Sequence, residues 1–111
     1  MKYLINAILE IAEQNPDGFT VKLPTLEHVT SGFICAYAET QNCFNVDGLE
    51  KVLKHALENG QIVGGWFNTE NNLFYFDSSK VFETESEAVE FGKQNLQIAI
   101  FDLNELREIR L

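Results

Sequence analysis

Gly64-Gly-Trp-Phe-Asn-Thr-Glu-Asn-Asn-Leu-Phe-Tyr-Phe-Asp77 reads as two aromatic strands joined by a short polar turn. Residues 61–67 form the first strand, Asn68 to Asn72 the turn, and Leu73 to Phe76 the return. Upstream, Val46, Leu49, Val52, Leu53, Ala56 and Leu57 recur at helical spacing. They define a helix over 46–58, with Asn45 placed to cap its start and Gly60 its end. Before it, Gly32 to Ala38 is a near-continuous apolar run of strand length. Downstream, Thr84-Glu-Ser-Glu87 is a capping box that opens a helix to about Gln94, with Ala88, Val89 and Phe91 inward. Leu96 to Leu103 reads as another strand, Asn104-Glu105 as a turn, and Leu106 to Leu111 as an edge strand.

From residue 33 to 102 the order is strand, helix, strand, strand, helix, strand. Two such units close into a ferredoxin-like split βαβ sandwich. The expected fold class is therefore α+β, with that core over 33–102 in a single domain of 111 residues. The first and third core strands are expected as parallel neighbours. Residues 1–18 add a helix over 2–14 and the turn Asn15-Pro-Asp-Gly18. Phe19 to Leu23 alternates like a short strand, and Pro24 to Ser31 reads as irregular. A competing arrangement pairs Phe19–Leu23 with Phe33–Ala38 as a hairpin.

A chain of this length buries roughly two thirds of its unfolded surface and needs no metal or disulfide staple. Forty-five per cent hydrophobic residues give it ample core material. Seventeen acids against eight bases set the formal charge at −9. Such a surface repels nucleic acid and anionic membrane, so neither is an expected partner. The first reading of this charge is solubility, and the sharper one is an acidic face aimed at a basic protein partner. Cys35 and Cys43 are too few for a secreted disulfide framework and read as small buried hydrophobes. The N-terminal run lacks a cleavage site and no stretch has membrane-span length, which leads to an expected cytoplasmic location.

Strand alternation puts Phe33, Cys35 and Tyr37 on one side of their strand. Ile62, Gly64 and Trp66 share a side of the next, and Leu73, Tyr75 and Asp77 of the third. If Tyr37, Trp66 and Tyr75 lie on the sheet face away from the helices, they form an aromatic platform. The helix over 2–14 or a second copy in a homodimer would then cover that face.

Residues able to carry chemistry are few. His28 and His55 lack metal-ligand spacing to each other or to the cysteines, and no metal or cofactor is expected. Glu39 follows the first core strand and Asp77 ends the third, so parallel neighbours would bring them to one edge. Thr40 and Asn42 would join them there as ligands to a small molecule or cation. No phosphate loop or nucleophile elbow is present. Glu83, Glu85, Glu87 and Glu90 follow Asp77 as an acidic stripe. Their first reading is helix-dipole stabilisation and their second is partner binding.

Gly-Gly-Trp, Phe-Tyr-Phe-Asp-Ser-Ser, Glu-Ala-Val-Glu-Phe-Gly-Lys-Gln-Asn and Gln-Ile-Ala-Ile-Phe-Asp-Leu lie between Gly64 and Arg110. This span resembles small uncharacterised acidic proteins of bacteriophages and mobile elements. That resemblance carries no assigned active site. It implies a product acting in the host cytoplasm, with inhibitors of host defence systems as the typical role. The expected function is a non-enzymatic accessory protein that binds a basic host protein. Glu83, Glu85, Glu87 and Glu90 would steer the encounter, and Trp66 and Tyr75 would anchor it. The alternatives are the small-molecule or cation site at Glu39, Thr40, Asn42 and Asp77, and a structural homodimer.

Overall fold

The computed structural model describes residues 1–111 as an α+β domain of three helices and one antiparallel sheet. The helices are α1 (Lys2–Gln14), α2 (Asn45–Glu58) and α3 (Glu85–Gln94). The strands are β1 (Phe19–Lys22), β2 (Glu27–His28), β3 (Phe33–Ala36), β4 (Cys43–Phe44), β5 (Ile62–Asn68), β6 (Leu73–Phe82), β7 (Ala99–Asp102) and β8 (Arg107–Arg110). Their order across the sheet is β2-β1-β5-β6-β3-β7-β8, with β4 also on β6.

Several expectations are corrected. β3 and β6 are neighbours, but antiparallel, with Phe33 opposite Phe82 and Ala36 opposite Ser79. β1 pairs with β5 and β2 rather than forming a hairpin with β3. β6 runs to Phe82 instead of stopping at Phe76. Its polar middle, Asp77-Ser-Ser-Lys80, is paired all the same, because backbone groups must find partners in a packed sheet. Asn45 does not cap α2 with its side chain; it is itself helical in position, with φ +60°. The other end is as expected. Gly60 takes φ +75° just past α2, and the Gln61 amide donates to the Ala56 carbonyl.

β6 has two different faces. Phe74 and Phe76 join the main core, Ser78 bonds α2, and Phe82 meets Phe91 of α3. This face carries the helices. Tyr75, Asp77 and Ser79 therefore point the other way. The main core unites Leu49, Val52, Leu53 and Ala56 of α2 with Val21, Val63 and Phe76 of the sheet. Ile8 and Ala12 of α1 belong to the same cluster. So α1 docks in the helix layer beside α2, and not across the opposite face. A smaller cluster of Cys35, Ala88 and Ile100 seats α3 on β3 and β7.

Three hairpins share one turn design. Four residues separate the pairs Lys22–Glu27, Asn68–Leu73 and Asp102–Arg107. The last of the four is left-handed each time: Leu26 at φ +65°, Asn72 at +60° and Leu106 at +54°. Asparagine tolerates this conformation and leucine does not, because its Cβ crowds the carbonyl. Leu106 is 74 % exposed, so packing does not compensate it. Leu106→Gly is expected to raise the unfolding free energy by about 0.5–1 kcal/mol. Urea unfolding with an unchanged slope would register it. The same change at Leu26, which packs on the core, is expected to bring no gain.

Candidate functional site

The line of β3 and β4 along β6 is broken by a bulge. Ala36 lies opposite Ser79 and Cys43 opposite Phe76. Residues 37–42 therefore stand against only Asp77 and Ser78. They bow out through a single 3-10 turn over Ala38–Thr40. Thr40 is buried, and its hydroxyl accepts the Ser78 amide at 3.0 Å, in place of a ladder bond. The Tyr37 amide still reaches the Ser78 carbonyl at 2.9 Å.

The bulge opens a cleft of about 330 Å³ on the face without helices. Trp66 and Tyr75 form one wall, and Asp77 lies in it. The bulge contributes Thr40, Gln41 and Asn42, while Asn68 and Gln97 approach from other segments. Gln97 bonds Gln41 across the rim at 3.2 Å. The Trp66 and Tyr75 rings stack at 5.5 Å and 19° as a cross-strand pair. Phe44 sets its edge against Tyr75 at 5.6 Å. Trp66 is 46 % exposed and Phe44 38 %.

Asp77, half-buried, is the one carboxyl that lines the cleft. Ser79, two residues on and on the same face, donates its hydroxyl to Oδ1. Oδ2 has no protein partner, and no basic side chain lies within ion-pairing distance. Burial pushes the Asp77 carboxyl up from its ordinary value of 3.8, and the Ser79 bond opposes this only in part. Gly64 makes room for the group, since a Cβ there would stand 3.1 Å from Oδ1.

The expected ligand edge of Glu39 and Asp77 does not form. With β3 and β6 antiparallel, Glu39 turns to the helix side and binds His55 Nε2 at 2.8 Å. His55 Nδ1 in turn meets Ser78 Oγ at 2.8 Å. Tyr37 belongs to this side too, edge-on to His55 at 4.8 Å and to Phe91 at 5.1 Å. Its ring therefore packs away from the Trp66–Tyr75 stack, although the residue also borders the cleft. Thr40 and Asn42 do line the cleft with Asp77, though the Thr40 hydroxyl is already engaged.

Ser78, His55 and Glu39 are residue types of a hydrolytic triad, but Ser78 is fully buried. The chain acts as a latch that ties the bulge to α2. His55→Ala strands the Ser78 hydroxyl in the interior and is expected to cost about 1–3 kcal/mol in urea unfolding. Replacing both residues, as His55→Leu with Ser78→Ala, is expected to cost less than the single change.

Glu83, Glu85, Glu87 and Glu90 are all exposed around the start of α3. Thr84 caps that helix, accepting the Glu87 amide at 3.3 Å and donating its hydroxyl to Glu87 Oε1 at 2.8 Å. No group of three His, Cys, Asp or Glu side chains is placed to hold a metal ion. No helix is long and apolar enough to cross a membrane. Ser79, Phe44, Asn68 and Gln97 join the site without having stood out in the sequence. The signal available was the polar Asp77-Ser-Ser79 run inside an aromatic strand. No family model matches this chain, and no curated protein or solved structure is detectably similar to it.

Proposed function

We propose that the protein is a non-enzymatic binding module that captures a partner protein on the sheet face opposite its helices. The carrying observation is the exposed Phe44–Tyr75–Trp66 aromatic cluster beside an 11-residue cleft that no helix covers. Large aromatics with little entropy to lose are the usual anchors of protein interfaces. A net charge of −9 and the exposed glutamates 83, 85, 87 and 90 favour a basic partner and speed its encounter. The partner we infer is a host protein, with inhibition of a host defence system as the specific role; the resemblance to phage and mobile-element proteins is what suggests both. The same reading takes residues 33–102 as a ferredoxin-like split βαβ unit. The order β5-β6-β3-β7, with α2 and α3 on one face, supports it.

The test is capture from host extract by immobilised protein, followed by kinetics with the purified partner. Trp66→Ala is expected to weaken binding about tenfold or more. Reversing Glu83, Glu85, Glu87 and Glu90 to Lys is expected to lower the on-rate about tenfold and flatten its salt dependence. Binding indifferent to Trp66→Ala would defeat the reading. Light scattering that shows a dimer lost in Trp66→Ala would replace it with the homodimer.

A further inference from the structure

The cleft beside the aromatic cluster has a chemistry of its own. One carboxyl oxygen of Asp77 is held by Ser79, and the other has no partner. The group is half-buried, its unpaired oxygen reaches solvent, and no basic side chain lies near it. A neutral sugar or base would leave the carboxylate charge without a counter-ion, and a phosphate would be repelled. A cation would offset it directly. At about 330 Å³ the cleft sits at the small end of the ligand-pocket range of roughly 300–1,000 Å³, which suits a single side chain. One wall is a stacked indole and phenol, partly open to solvent, against which a flat cation can lie. The amides of Gln41, Asn42 and Gln97 stand nearby with oxygens able to accept further N–H groups. A planar group with several donors uses such a site better than a compact ammonium does.

We propose that this cleft is a guanidinium site that receives an arginine side chain of the partner, with Asp77 as counter-ion and the Trp66–Tyr75 stack as wall. The inference rests on the binding-module reading and names what that module recognises. Charge complementarity commits it to an arginine displayed on a protein, since the net charge of −9 acts on an extended basic partner more than on one small ion.

Trp66 is the only tryptophan, so its emission reports occupancy of the cleft. The experiment titrates the full chain with capped tripeptides centred on arginine, lysine or citrulline, and with free arginine. Trp66 emission and the indole N–H resonance are the readouts. The arginine peptide is expected to saturate. The lysine peptide is expected to bind about fivefold or more weakly, and citrulline, which keeps the shape but not the charge, about tenfold or more weakly. Asp77→Asn is expected to weaken the arginine peptide about tenfold or more, with its thermal unfolding recorded to show that it is folded. Equal binding of arginine and citrulline peptides, or binding unchanged in Asp77→Asn, would overturn the proposal. Free arginine binding more tightly than the capped peptide would also overturn it, in favour of a small-molecule site. The two readings fail differently. Partner capture that needs Trp66 but ignores Asp77→Asn keeps the module and removes the arginine site. Capture that ignores both removes the module.

Discussion

Phe76→Ala is expected to lower the unfolding free energy by about 3–5 kcal/mol. Phe76 is 2 % exposed, its ring 5.1 Å from that of Phe74 and 6.4 Å from that of Phe19. It sits where β6 meets the α2 core, in the same cluster as Leu49, Leu53 and Val63. Truncation removes the transfer energy of the ring and leaves a cavity between a sheet and a helix layer that cannot both relax. A domain of this size has about 5–15 kcal/mol of stability in all, so the loss is a large share of it. Tyr75, the preceding residue, points to the other face and is half-buried. Tyr75→Ala is expected to cost only about 1–2 kcal/mol. Urea unfolding of the two variants side by side tests the division of β6 into a core face and a binding face. Similar losses for both would contradict it.

Gly65→Ala is expected to cost about 2–3 kcal/mol, despite adding a single methyl. A Cβ at Gly65 would stand 2.7 and 2.9 Å from two atoms of the Phe19 ring and 2.9 Å from Phe74. Both rings belong to the main core and brace one another at 6.1 Å, so neither can withdraw freely. The gain of about 0.4–1 kcal/mol from a less flexible unfolded chain does not offset that overlap. Gly64→Ala, on the opposite face, meets the Asp77 carboxyl instead of a ring. Its expected effect on stability is about 1 kcal/mol or less. Equal effects of the two would mean that the glycines are not assigned to opposite faces.

Much of this fold was legible in the residues. Aromatic alternation and the Asn68–Asn72 turn marked the β5–β6 hairpin, helical spacing marked α1 and α2, and the Thr84–Glu87 capping box marked α3. What escaped was whatever depends on the register between strands. Alternation says which residues of one strand share a side; it does not say which sides of two strands coincide. Tyr37 was grouped with Trp66 and Tyr75 for that reason, and the antiparallel register of β3 on β6 separates them. The same register separates Glu39 from Asp77. The bulge at 37–42 carried no local sign, because its buried Thr40 resembles any turn threonine until Ser78 is opposite it. Leu26 and Leu106 occupy left-handed positions where glycine or asparagine would have announced the turns. Of the candidate site, Trp66, Tyr75 and Asp77 were readable from one segment. Gln41, Phe44 and Gln97 reach it only through the tertiary fold.

If Asp77 is the counter-ion of the proposed site, it serves binding at the expense of the fold, a common arrangement at functional sites. Its consequence for stability has a definite sign. Burial raises its pKa above the ordinary 3.8. Between these two values the native chain keeps a proton that the unfolded chain has released. The contribution of Asp77 to stability therefore falls as pH rises through about 3.8, and it stays low above the raised value. Asparagine carries no charge and escapes this loss. The deciding measurement is the unfolding free energy of wild type and Asp77→Asn from about pH 3 to about pH 8. The expected result is a variant more stable than wild type near neutrality, with the gain shrinking toward pH 3. A variant less stable than wild type near neutrality, with the deficit vanishing in acid, would contradict the claim: the carboxylate would then be holding the fold together.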